Sequence, residues 1–294
     1  MKLKRLCAAL LALVLLCPLV GCKEKDPYPP IETVGLADEG KGTPGEQDGY
    51  SYITYQTYTE IVKYEGEAIS LILPDSLGGK PVKRIGDFAF QLNTKLASIT
   101  LPSYLLQIGI LAFYGCTSLS HVVWNDTLEL IEDSAFQLTA LTELTCPPRL
   151  YQIGREAFSG SALTSVHMSE SVTVVEDYAF YGCTQLTEIF FSPRLTVLES
   201  RVFNGCTSLT ELILPQTITS IENYVFGSCT ALETLVIPNS VTSLGDGLFS
   251  GSPLVTVYVA EEGPASKYCD RNGTAFVIAD EALWLEFYPE TEEE

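Results

Sequence analysis

Large apolar residues recur through residues 67–254 with a fixed period. Phe90, Phe113, Phe136, Phe158, Phe180, Phe203, Phe226 and Phe249 are separated by 23, 23, 22, 22, 23, 23 and 23 positions. Five residues before each Phe stands an aliphatic side chain, in turn Ile85, Ile108, Ile131, Ile153, Val175, Leu198, Ile221 and Leu244. A Leu closes each unit, at Leu96, Leu119, Leu141, Leu163, Leu186, Leu209, Leu232 and Leu254. Within one unit, Leu209-Thr-Glu-Leu-Ile-Leu-Pro215, the alternation puts Leu212 and Leu214 on one face of a short strand and Glu211 and Ile213 on the other. Pro215 stops that strand, a second extended piece covers Ile218 to Ile221, and a tight turn carries Phe226 and Cys229. One unit cannot bury its own apolar side, so about eight stacked units must share a core. The pattern predicts a β-dominated solenoid with a parallel sheet along one face. At ~4.8 Å per strand, nine strands would make one sheet about 43 Å long, with the Phe residues stacked in a ladder.

The ends of the repeat array have different patterns. Tyr50 to Tyr64 alternates aromatic and polar residues, which predicts a hairpin within an N-terminal cap over residues 50–66. A C-terminal cap is expected over 255–288: a strand at Val257-Tyr258-Val259, a short helix between Gly263-Pro264 and Gly273, then a closing strand or pair from Thr274 to Ile278 and Leu283 to Tyr288. Residues 289–294 read as an acidic tail.

The repeat strings TELILPQTITSIENYVFGSCTAL (210–232) and ETLVIPNSVTSLGDGLFSGSPL (233–254) resemble the BspA-type leucine-rich-repeat family. The resemblance extends over roughly residues 50 to 278. It implies a leucine-rich-repeat horseshoe or right-handed superhelix with short helical turns, capped at both ends, and a role in adhesion or protein–protein contact. Asn125 and Ser169 replace the strand-ending Pro, and Val202, Val225 and Leu248 replace the Ala before Phe. Those departures are expected to loosen individual turns.

The first residues read as an address. Lys2, Lys4 and Arg5 precede an apolar run from Leu6 to Val20, the form of a signal peptide over 1–21 that is too short to span a bilayer. The run ends in Leu19-Val20-Gly21-Cys22, which resembles a bacterial lipobox and implies acylation of Cys22. Two or three acyl chains there would anchor the exported protein to the bacterial cell membrane, facing outside the cytoplasm. Residues 22–49, rich in Pro, Gly, Asp, Glu and Lys, then read as the lipidated Cys22 plus a flexible linker.

Charge narrows the partners. The chain has 17 Lys and Arg against 37 Asp and Glu, and without residues 1–21 its net charge of −20 would become −23. Nucleic-acid binding is excluded, because its main term is phosphate neutralisation by basic residues. No nucleophile elbow, zinc-protease, phosphate-loop, dinucleotide or calcium-loop motif is present, so no catalytic residue, metal site or cofactor is assigned. Of nine Cys, Cys116, Cys183, Cys206 and Cys229 share one slot, three residues after Phe, where other units have Asn93, Thr139, Ser161 and Ser252. An inward small-residue slot that packs or bonds to the loop backbone explains them, and parallel stacking holds their Cβ atoms too far apart for bridges. Cys146 and Trp124 fall on inward strand positions; Cys269 lies in the cap helix. His121 and His167 fall on outward positions about 10 Å apart, too far for a shared metal.

The positions that the repeat does not require are the outward ones. Toward the C-terminal half they read Phe190, Ile213, Val236 and Tyr258, with His167 before them and Glu188 and Glu211 alongside. An apolar strip with a charged rim marks a binding face; β-branched and aromatic residues also simply suit exposed strands, and the pattern alone does not decide. The reading reached is a non-catalytic cell-surface lipoprotein whose repeat sheet binds a host or envelope protein. The alternative is a glycan-binding accessory lipoprotein in which Phe190 and Tyr258 act as platforms.

Overall fold

Each repeat makes one turn of a coil with three sides. The structure, a computed structural model, describes residue 36 and residues 40–253 and 255–288. Side one is a strand of three or four residues, from Ser70–Ile72 through Ser98–Thr100, His121–Val123, Glu143–Thr145, Ser165–His167, Glu188–Phe190, Glu211–Ile213 and Thr234–Val236 to Thr256–Val259. Side two is a two-residue strand ending on the aliphatic five before Phe, such as Gln107–Ile108 or Ser220–Ile221. Side three is the turn that carries Phe. Paired strands from successive repeats run parallel and in register, for example Glu211, Leu212 and Ile213 against Thr234, Leu235 and Val236.

The third side is held by a backbone ladder of its own. Residues two before and two after Phe have positive φ, such as Phe88 (62°) and Leu92 (59°) about Phe90, or Tyr224 and Ser228 (both 56°) about Phe226. Non-glycine residues seldom adopt this conformation. Here it turns amides toward the next coil: Phe88 donates to the Ile110 carbonyl at 2.9 Å, Phe90 to Ala112 at 2.8 Å and Leu92 to Tyr114 at 2.7 Å. The same left-handed residues interrupt any helix, so the expected short helical turns are absent. Among the described residues, the only helices are the two in the C-terminal cap.

The core is a column of rings. Phe90 to Phe249 stack with centroids 4.9 to 6.4 Å apart, within the range of offset aromatic pairs. Tyr64 closes the column at one end, 5.4 Å from Phe90, and Tyr268 meets Phe249 edge-on at 6.1 Å at the other. The first side differs from the single long sheet expected: it breaks into sheets of three, three and four strands. Both breaks follow strands whose last inward residue is aromatic, Trp124 and Phe191, which meet Phe136 and Phe203 edge-on at 5.4 and 5.9 Å. A ring among aliphatic residues displaces its neighbours enough to interrupt strand pairing.

Asn125 and Ser169, expected to loosen their turns, tie them instead. Asn125 Nδ2 donates to the Leu105 carbonyl at 2.8 Å, and Ser169 Oγ donates to the Pro147 carbonyl at 2.9 Å.

The N-terminal cap is a three-stranded antiparallel meander, β1 (Thr43–Gln47), β2 (Tyr50–Thr54) and β3 (Thr59–Tyr64), with β3 parallel to Lys80–Ile85. β1 occupies part of the stretch expected to be linker. Asp48 and Gly49, with φ of 51° and 83°, turn β1 into β2 in the manner of a type I′ hairpin, for which Asp-Gly is a favoured pair. At the other end α1 (Pro264–Asn272) stops at Gly273, whose φ of 66° is left-handed, and Ala275–Ile278 pairs parallel to Thr256–Val259. The last segment differs from the expected strand: Glu281–Phe287 is a helix, α2. Asp280 caps it, accepting from the Leu283 amide at 2.9 Å, and Glu281 sits in its first turn where the helix dipole favours an acid. Residues 1–21, Cys22, Leu254 and the tail 289–294 lie outside the described residues, as does all of the expected linker up to residue 39 except residue 36.

Candidate functional site

The candidate strip lies on the outward face of side one, and its two halves have different environments. His167 and Phe190 are register partners in adjacent strands, their rings stacked at 4.4 Å and 21°. Phe190 remains 38% exposed. Glu188 pairs with Ser165 beside them and is half-buried, and Glu211 is exposed. Between Phe190 and Ile213 the sheet breaks, so the expected strip is not continuous.

Beyond the break the strip is covered. Val236 has no exposed surface, and Ile213 and Tyr258 are half-buried. Val236 is nonetheless separate from the interior core cluster. α2 packs on this part of the face: Phe287, 9% exposed, sets its ring 5.5 Å from Tyr258 at 62°, and the Tyr288 hydroxyl donates to the Leu214 carbonyl at 2.5 Å. That carbonyl is left over by the repeat. Leu214 donates its own N–H to Val236, but the position that would answer its carbonyl is Pro238, which has no N–H. Burial pushes the Tyr288 phenol well above the ordinary range, keeping it protonated and able to donate.

Val236, Ile213 and Tyr258 are therefore not the open surface that the sequence suggests. The open part lies earlier, where Ile72 is 77% and Val123 45% exposed and His121, Glu143 and Thr145 are exposed. Alternation marked these residues as outward; it could not mark which of them a later segment would cover.

The repeat cysteines point inward to the backbone. Cys116, Cys183, Cys206 and Cys229 each donate to the carbonyl of the Phe one turn earlier, at 3.1, 3.2, 3.5 and 3.2 Å. Ser252 does the same at 2.6 Å. All six described cysteines are free and buried. Burial raises the Cys116 and Cys146 thiols to about 12 and those of Cys183, Cys229 and Cys269 to about 11. Such thiols are packing groups, not nucleophiles.

Arg84 forms the densest polar cluster. It pairs with Glu60, with Asp87 at 2.6 Å and with Glu132 at 3.0 Å, while Gln107 holds the other Glu132 oxygen at 2.6 Å. Burial opposes the Arg84 charge, and the three carboxylates more than offset it. The cluster ties the N-terminal cap to the second row of strands. A depression of 610 Å³ between α1 and Ser243–Leu244 is lined by Lys267, Arg271 and Asp270. Among the described residues, no group of three His, Cys, Asp or Glu could hold a metal, and no helix is long and apolar enough to cross a membrane.

Comparison with known proteins adds a family and a fold. The model of the BspA type leucine rich repeat region matches in six copies, over residues 67–175 and 152–265. A leucine-rich repeat protein from Bacteroides ovatus is similar in structure, with a TM-score of 0.60 and 24% identity over 81% of this chain and 66% of that one. The chain thus spans just under two thirds of that relative. A T. pallidum leucine rich repeat protein matches over 81% of this chain and all of its own, with a TM-score of 0.54 and 22% identity. No curated protein matches the sequence.

Proposed function

The chain belongs to the BspA-type leucine-rich-repeat family, and from that membership we propose that it is a non-catalytic, lipid-anchored bacterial surface protein that binds another protein. The observation that carries the reading is the open half of the outward face. There the stacked His167 and Phe190 present aromatic surface beside Glu143 and Glu188 on one three-stranded sheet, and Ile72 and Val123 present apolar surface on the three-stranded sheet before it. An apolar patch with a polar rim on a preorganised sheet suits protein contact. The strongly acidic composition favours solubility and disfavours anionic partners.

Capture of host and envelope proteins by the full chain tests this. Phe190→Ala and His167→Ala should each weaken a captured complex roughly 5- to 30-fold, the effect of losing a hot-spot residue of about 1–2 kcal/mol. Unchanged affinity would remove the open half from the interface. Competition by oligosaccharides would assign the face to glycans instead. Anchoring is tested separately: Cys22→Ser should abolish acyl labelling, and a normally anchored variant would refute lipidation at that residue.

A further inference from the structure

The C-terminal cap continues one side of the coil, covers another and leaves side two open. Side one is extended by Ala275–Ile278, which pairs with Thr256–Val259. Side three is covered by Tyr268, whose ring meets Phe249 edge-on and whose hydroxyl accepts from the Leu248 amide at 2.9 Å. Side two stops at Ser243–Leu244, the last strand of its sheet. One coil earlier the Thr219 carbonyl accepts from the Thr242 and Ser243 amides, and the Ile221 carbonyl from the Gly245 amide. The counterparts at the edge are the Thr242 and Leu244 carbonyls, to which no described residue donates. The Leu244 amide faces the same way, because the Ser243 and Gly245 amides on either side of it bond back to the preceding coil. A strand edge with unpaired N–H and C=O groups is a template for one more strand.

What faces this edge selects the strand. The 610 Å³ depression in front of it has the volume of a ligand cleft, and α1 forms its other wall. Lys267 and Arg271, one helical turn apart and both exposed, line that wall with Asp270. Neither base forms an ion pair with a described residue, although the chain carries 37 acids. The lining thus sets two bases against one acid in a chain of net charge −20, whose remote acids are screened beyond about 10 Å at 0.1 M salt.

We propose that this groove takes an extended acidic segment of a partner protein as one further strand of side two, parallel to Ser243–Leu244. The segment's amides answer the Thr242 and Leu244 carbonyls, one of its carbonyls accepts from the Leu244 amide, and its carboxylates meet Lys267 and Arg271. Main-chain bonds supply the affinity of such strand addition, and the side chains beside the edge supply its selectivity. The proposal deepens the protein-binding reading above and rests on it only for the partner being a protein.

The test follows a fluorescein-labelled peptide, Thr-Val-Glu-Val-Glu-Val, on the full chain by fluorescence anisotropy; its β-branched residues favour the extended form. Charge reversal in the double variant Lys267→Glu with Arg271→Glu should weaken binding at least about tenfold, with the melting curve showing that the solenoid remains folded. The same peptide methylated at every backbone amide keeps its charge but cannot donate to the edge, and it should not bind. No binding by the parent chain, unchanged affinity on charge reversal, or equal binding of the methylated peptide would overturn the proposal. Tighter binding by a chain ending at residue 288 would also overturn it, by giving the groove to the acidic tail 289–294. Phe190→Ala should leave the peptide's affinity unchanged, so failure here and failure of partner capture at the open half of side one are distinguishable.

Discussion

Cys229 shows how a repeated residue acquires its role. Its thiol is buried against the Phe203 carbonyl at 3.2 Å, and one repeat later Ser252 makes the equivalent bond to Phe226 at 2.6 Å. What the slot requires is a small donor. Cys229→Ser should therefore change stability by less than about 0.5 kcal/mol, whereas Cys229→Val, of similar size but without a donor, should cost about 1–1.5 kcal/mol by removing one of the two donors to the Phe203 carbonyl, the other being the Cys206 amide at 3.2 Å. Denaturant unfolding of the two variants decides between these values. Reactivity gives a second check. With the native thiols raised to about 11 or 12, or in the case of Cys206 well above its ordinary value, alkylating reagents at pH 8 should leave all six described cysteines unmodified until the chain is unfolded. Rapid labelling of the folded protein would contradict the burial described here. The slot is visible in the sequence as a column of Cys, Ser, Thr and Asn; the carbonyl that Cys229 serves is not, because that atom belongs to a turn 26 residues away.

At the scale of the element, the turn that carries Phe is decided by backbone conformation. Gly182, with φ of 67°, has nothing within 4 Å of where a Cβ would stand, so Gly182→Ala tests conformation without a clash. It should cost about 1 kcal/mol and lower the melting temperature by roughly 2–4 °C. No change in melting temperature would mean that the left-handed turn imposes no strain. Gly115 combines both constraints, with φ of 67° and a Cβ position 2.6 Å from the Leu92 side chain of the preceding repeat. The caps show where pattern reading reaches its limit. Leu283 to Tyr288 looks like a strand because large apolar residues fall at alternate places, yet Asp280, Glu281 and a run of good helix formers favour α2. Asp48-Gly49 was likewise a hairpin signal inside a segment whose composition resembles a linker.

For the whole molecule, stability is expected to follow the number of intact turns. Removing residues 187–209, one full period of 23, should leave a cooperative solenoid, because the rows of strands and rings can close in register. Removing about half that length should not, since it sets outward residues against the core. Circular dichroism melts of the two deletions test this. The sequence by itself determined the period, the direction in which each strand residue points, the Phe column and the inward cysteines, because each of these repeats at fixed spacing and depends on neighbours one turn away. Tertiary structure alone decided where the sheet breaks and which part of its outward face stays open. Those outcomes depend on single events that no period encodes: a ring at Trp124 or Phe191, and a C-terminal helix that returns across 74 residues to the Leu214 carbonyl. Alternation places Val236 on the outward face, and still the residue is buried, because exposure belongs to the whole chain and not to the strand that bears it.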